Sequence, residues 1–156
     1  AAKWLGQSLN LVLIEPGGGH GEIPDVIGFT WHGFSTLIEC KTSVSDFTAD
    51  KTKRGRSEDS LKDGLGNLRY YFVEKTLVES IKDKLPPKWG LLACYPKIVK
   101  KIKVAEPIEI ASNSLRNSID LLVTALWKAK YLSRICPSCK GRFVPEFCEP
   151  VNYCYY

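Results

Sequence analysis

"GEIPDVIGFTWHGFSTLIECKTSVSDF", residues 21–47, decides how this chain is read. Residues 24–31 and 35–41 are short runs rich in β-branched and aromatic side chains, and His32-Gly33 between them is a turn signal. The stretch therefore reads as a β-hairpin. On its second strand Glu39 and Lys41 lie two apart and share a face, while Ile38 and Cys40 point to the other. A buried carboxylate–ammonium pair breaks even at best, so function explains the pair more economically than stability does.

Asp25 joins that face only under a geometric condition. A two-residue loop at His32 and Gly33 would set Asp25 opposite Cys40, on the wrong side. A three-residue loop from His32 to Phe34, or a β-bulge, would set it opposite Lys41 instead. If the three charges form one site, the loop is odd or the strand bulges.

Working outward, residues 1–10 read as a short helix and "LVLIE" as a strand, before "PGGG" breaks the chain. Ser43 with Asp46 three later resembles a capping box, so a helix is expected over 44–54. Residues 55–67 form a long polar loop, a class often tied to function. "LRYYFV" is a strand, and residues 75–85 a helix stopped by Pro86 and Pro87. "WGLLACY" is a strand, and "KIVKKIKVAE" an edge strand rich in Lys. The longest helix begins near Ser112, with Leu115, Ile119, Leu122, Leu126 and Ala129 on its expected core face. The plan is α/β, with one mixed central sheet flanked by helices.

The totals set the class. With 156 residues, 44% apolar and 25% charged, the chain suits one globular domain with a proper core. No apolar run is long enough to span a membrane, and "AAKWLGQSLN" lacks the apolar segment of a secretory signal, so a cytoplasmic location is expected. The net charge is +5, but the basic residues cluster at 51–56, 97–103 and 128–134, as suits a polyanion such as nucleic acid. Solvated faces explain any one cluster equally well.

Two carboxylates and a Lys on one face suit metal-assisted phosphodiester hydrolysis. Carboxylates hold Mg²⁺ in an oxygen shell, the metal activates water, and the Lys offsets phosphate charge and orients or helps deprotonate that water. Pro24-Asp25 followed by Glu39-Cys40-Lys41 resembles the PD-(D/E)XK nuclease motif. The order helix, three strands, helix, strand is similar to that superfamily's restriction-endonuclease-like αβββαβ core. The continuation "ECKTSVSDFTADK", with "GLGNLRYYFV" and "LPPKWGLL", resembles MmcB-type DNA-repair nucleases over residues 10–95.

The resemblance implies a Mg²⁺- or Mn²⁺-dependent DNA nuclease in repair, recombination or defence. Asp25, Glu39 and Cys40 would form the metal set, and Lys41 the catalytic ammonium. The superfamily often adds an acidic residue, and the first helix here has none. Glu22, three before Asp25, is preferred over Glu15.

Ser43, Lys51, Lys53, Arg54 and Arg56 are expected to contact DNA phosphates beside the site. Arg69 and Tyr70 would add a phosphate and a stacking contact, although only one of Tyr70 and Tyr71 can face the site. His32 reads as a turn residue and His20 as loop.

Cys40 and Cys94 sit alone in apolar runs and read as small core residues. Cys136, Cys139, Cys148 and Cys154 crowd the C-terminus, and "CPSCKG" has the spacing of a zinc knuckle. Domains are therefore expected at 1–132 (nuclease-like) and 133–156 (a four-cysteine zinc-knuckle tail with structural Zn²⁺, a folding element rather than a reactive one). A catalytically inactive DNA-binding or adaptor protein on the same fold is the alternative, and a homodimer or protein partner is compatible with either.

Overall fold

The computed structural model describes residues 1–17, 22–53 and 55–133, with side chains described as far as Lys128. His20, Arg54 and the four tail cysteines lie outside the described residues.

The hairpin supplies the second and third strands of a six-stranded mixed sheet. Strands β1 (Leu11–Ile14), β2 (Val26–Phe29) and β3 (Ser35–Lys41) form an antiparallel meander. β4 (Leu68–Glu74) and β5 (Gly90–Cys94) then run parallel to β3, and β6 (Val99–Lys103) returns antiparallel. The strands lie in chain order across the sheet. β6 is an exposed edge carrying Lys100, Lys101 and Lys103, as its lysines require.

The β2–β3 turn meets the odd-loop condition one residue earlier than anticipated. Thr30 donates its N–H to the Phe34 carbonyl, leaving Trp31, His32 and Gly33 as a three-residue loop. Gly33 takes φ +77°, the left-handed position such loops need. Val26 pairs with Ile38, so the next position sets Asp25 across from Glu39 rather than Lys41. The parity is the one that brings all three charges to a common face.

That alternation sorts the core into two layers. Ile27, Leu37, Tyr71, Val73 and Leu91 face one side, where α2 (Val44–Asp50) contributes Phe47 and α3 (Val78–Ile81) contributes Val78 and Ile81. Val26, Ile38, Tyr70 and Leu92 face the other, under Leu5 of α1 (Ala2–Leu5). Burying these layers is the main driving force for the fold. Ser43 caps α2 by accepting the Asp46 N–H at 3.1 Å. The expected helix over 75–85 is instead α3 between two 3₁₀ turns, Lys75–Leu77 and Lys82–Lys84.

α4 (Ser112–Ser133) turns a different face to the core than its apolar spacing suggests. Leu115, Ile119 and Leu126 are exposed, Leu122 is half-buried, and Ser114, Ser118 and Leu121 are buried. Hydrogen bonds decide the orientation. Ser114 Oγ donates to the Lys62 carbonyl, and so does the Ala111 N–H, fixing the first turn with its small side chains inward. No helix among the described residues is long and apolar enough to cross a membrane.

Candidate active site

At the ends of β2 and β3, the α2-side layer stops being apolar. Glu39 is 2% exposed and Lys41 6% exposed, so the pair is not an ordinary surface pair. Lys41 Nζ lies 3.2 Å from Glu39 Oε2 and 3.1 Å from Asp50 Oδ1. Asp50, the last residue of α2, is 1% exposed. Its Oδ2 accepts from Tyr71 OH at 2.7 Å and Arg56 Nε at 2.8 Å, and its Oδ1 lies 2.7 Å from Lys53 Nζ. Asp25 sits at the rim, half-buried, with Oδ2 accepting the Cys40 N–H at 2.7 Å.

Arg56 is the second cation of this cluster. Its NH1 pairs with Glu22, its NH2 lies 3.5 Å from Glu39 Oε1, and its guanidinium stacks 4.3 Å from the Trp89 ring centroid. Glu22 also accepts the Leu65 N–H at 3.0 Å. Glu22 thus joins the cluster through Arg56, whereas Glu15 is exposed.

The electrostatics follow from burial. Desolvation lifts the Glu39 carboxyl to about 7, against the opposing pull of Arg56. Burial would lower the Lys41 ammonium, but Glu39 and Asp50 outweigh it and hold the pKa above the usual lysine value. Burial would likewise raise Asp50, but hydrogen bonds from Arg56, Lys53 and Tyr71 hold it well below the carboxylate range. Tyr71 is pushed far up by burial and stays a neutral donor. One Glu39 oxygen, Oε1, is buried with no hydrogen-bond partner among the described residues.

Several expected DNA contacts are placed elsewhere. Arg56 is buried in the acidic cluster. Arg69 is fully buried, and its guanidinium donates to the carbonyls of Gly55, Gly64 and Gly66 at 2.9, 2.6 and 3.1 Å, closing the 55–66 loop. Gly55, at φ +80°, leaves no room for a Cβ, which would lie 2.8 Å from Gly64 Cα. Tyr70 is buried on the opposite layer, edge-on to Trp4, and Tyr71 is the tyrosine on the site face. Arg56, Arg69 and Tyr70 are thus too buried to meet a phosphate or base.

Lys51 and Lys53 are exposed after α2, and Ser43 is half-buried as its cap. The Cys40 thiol lies on the other side of β3. It lines an apolar pocket with Phe72 and Cys94, so both cysteines are half-buried rather than fully in the core. Sequence reasoning missed Asp50 and Trp89 as cluster members. The only available signal was the four-residue spacing of Asp46 and Asp50 on one helix face.

Among the described residues, no three His, Cys, Asp or Glu side chains are grouped as a protein-only metal cage would need. No family model and no curated protein matches the chain. A solved structure does. It is a protein of unknown function from Silicibacter pomeroyi, 20% identical, with TM-score 0.62, covering 97% of this chain and 91% of that one. At that identity the likeness shows the fold, a mixed α/β sheet with flanking helices.

Proposed function

We propose that the chain is a metal-dependent DNA nuclease of the PD-(D/E)XK type, with a restriction-endonuclease-like core. The element order α1-β1-β2-β3-α2-β4 supports the fold half of this reading. The observation that carries the chemistry is the shared face of Asp25, Glu39 and Lys41, with Glu39 Oε1 buried and lacking a hydrogen bond.

A hard divalent cation fits that oxygen. Mg²⁺ is commonly held by one or two carboxylates, with waters and substrate phosphate completing the shell, so a three-residue cage is not required. Asp25 and Glu39 would hold it, and Cys40 could contribute only its main-chain carbonyl, since its thiol faces the other layer. A bound Mg²⁺ or Mn²⁺ would polarise the phosphate and acidify a water. Lys41 remains an ammonium, so it offsets phosphate charge and orients rather than accepting a proton. Lys51 and Lys53, exposed beside the cluster, suit phosphate contacts. A structural Zn²⁺ on Cys136, Cys139, Cys148 and Cys154 is part of the proposal, and about one equivalent in protein purified without added zinc would support it.

The second reading is a DNA-binding or adaptor protein without catalysis. Arg56 favours it, because a guanidinium among Glu22, Glu39 and Asp50 already neutralises carboxylates that would attract a metal. The test is cleavage of single-stranded, duplex, flap and junction DNA with Mg²⁺ or Mn²⁺. Cleavage that falls at least about 100-fold in both Lys41→Ala and Asp25→Ala supports the nuclease. Binding without cleavage on every substrate favours the second reading.

A further inference from the structure

Beyond the motif residues, we infer that Asp50 is the positioning residue that aims Lys41 at Glu39. The functional half of this inference rests on the nuclease reading.

A lysine stem has four rotatable bonds and about 2 kcal/mol of rotamer entropy, so an ammonium is poorly placed by its own chain. Lys41 starts from β3, and Glu39 two residues earlier fixes only one side of its ammonium, at 3.2 Å. The second anchor comes from another element. Asp50 Oδ1 on α2 lies 3.1 Å away, and both residues are buried from solvent. Asp46 is a weaker third partner, 3.9 Å away and 46% exposed.

Asp50 can aim because it is itself aimed. Tyr71 OH and Arg56 Nε both bond Oδ2, which turns Oδ1 toward Lys41. Tyr71 in turn is held edge-on by Phe47 at 4.9 Å and stacked on Trp89 at 4.5 Å between ring centroids. The chain Trp89–Tyr71–Asp50–Lys41–Glu39 thus runs from the apolar core to the reacting face. Misplacement of about 1 Å at a reacting group can cost about 100-fold in rate, so a residue that only holds Lys41 should matter to turnover and not to DNA affinity.

Two measurements on the full chain test this. In ¹⁵N-labelled protein, the Lys41 ammonium resonance should be visible in wild type and in Asp46→Asn, and absent in folded Asp50→Asn. In parallel, cleavage of single-stranded and duplex oligonucleotides with Mg²⁺ should lose about 10- to 100-fold in kcat in Asp50→Asn, with KM changed less than about 2-fold. A retained resonance, an unchanged kcat, or an equal loss in Asp46→Asn overturns the inference.

Should Asp50→Asn not fold, Tyr71→Phe leaves every charge in place and removes one bond to Oδ2. A weakened resonance with about a 3-fold lower kcat supports the chain, and no change in either overturns it. If wild type cleaves none of single-stranded, duplex, flap and junction DNA, the nuclease reading fails and the ammonium resonance alone decides whether Asp50 aims Lys41.

Discussion

Arg56 and Arg69 are both buried, with opposite kinds of partner. Arg56 is met by carboxylates of Glu22, Asp50 and Glu39. Burial would lower its pKa, but Glu22 and Asp50 outweigh it and hold it above the usual arginine value. Arg69 is met by three carbonyls of the 55–66 loop, and burial drags it down to about 10. One guanidinium balances charge where chemistry is proposed. The other ties a glycine-rich loop through main-chain carbonyls. Burial alone therefore does not say what a guanidinium does; its partners do, carboxylates for Arg56 and main-chain carbonyls for Arg69.

The sharpest way to break the comparison is to remove each guanidinium. Arg69→Met strands three buried carbonyls and should cost about 3–5 kcal/mol in urea unfolding, with little change between about pH 5 and pH 8. Arg56→Met should cost about 3–4 kcal/mol near pH 8, because it strands buried carboxylates. Its deficit should shrink toward pH 5. Arg56 lowers the proton affinity of Glu39, which titrates at about 7, so that share of its stabilisation is present near pH 8 and lost as pH falls toward 5. The share owed to Asp50, held well below the carboxylate range, persists at pH 5. Parallel pH profiles for the two variants would erase the distinction.

Glu39→Gln is the next largest. Glu39 titrates at about 7 in the fold against 4.5 ordinarily. Such a raised group stabilises below its unfolded value, and that stability is lost as pH rises through the folded value. The Gln variant should therefore be about 2–3 kcal/mol more stable than wild type near pH 8 and no more stable near pH 4.5, by urea unfolding. Equal stability at both pH values would mean that Glu39 is not held up by burial. Smallest is Lys53→Ala. Its ammonium touches Asp50 but is 54% exposed, so the stability change should stay below about 1 kcal/mol and vanish in high salt.

Alternation along β2 and β3 made much of the site readable in advance. Two residues per repeat put Glu39 and Lys41 together, and parity alone said which loops would admit Asp25. The bounds of β3 and the Ser43 cap follow from equally local rules. Long-range partnership was not readable. Arg69 bonds main-chain carbonyls, whose positions depend on how the loop closes rather than on any side-chain pattern. Charged and aromatic residues near a basic cluster read as surface by default, which is why Arg56, Arg69 and Tyr70 look like phosphate and base contacts in the sequence. α4 misled for a related reason. Its apolar spacing favoured Leu115 and Ile119, but hydrogen bonds from its first turn to Lys62 set the rotation.

The loop Trp31–Gly33 lies in open solvent, with Trp31 85% exposed, and a Cβ at Gly33 would meet nothing within 4 Å. By packing alone it should accumulate insertions and deletions freely. It cannot lose or gain one residue without turning β2 over, which would bury Asp25 under α1 and move Ile27 and Phe29 out of their layer. Among descendants of this chain, its length should therefore drift by two residues or not at all, except where a bulge restores the count.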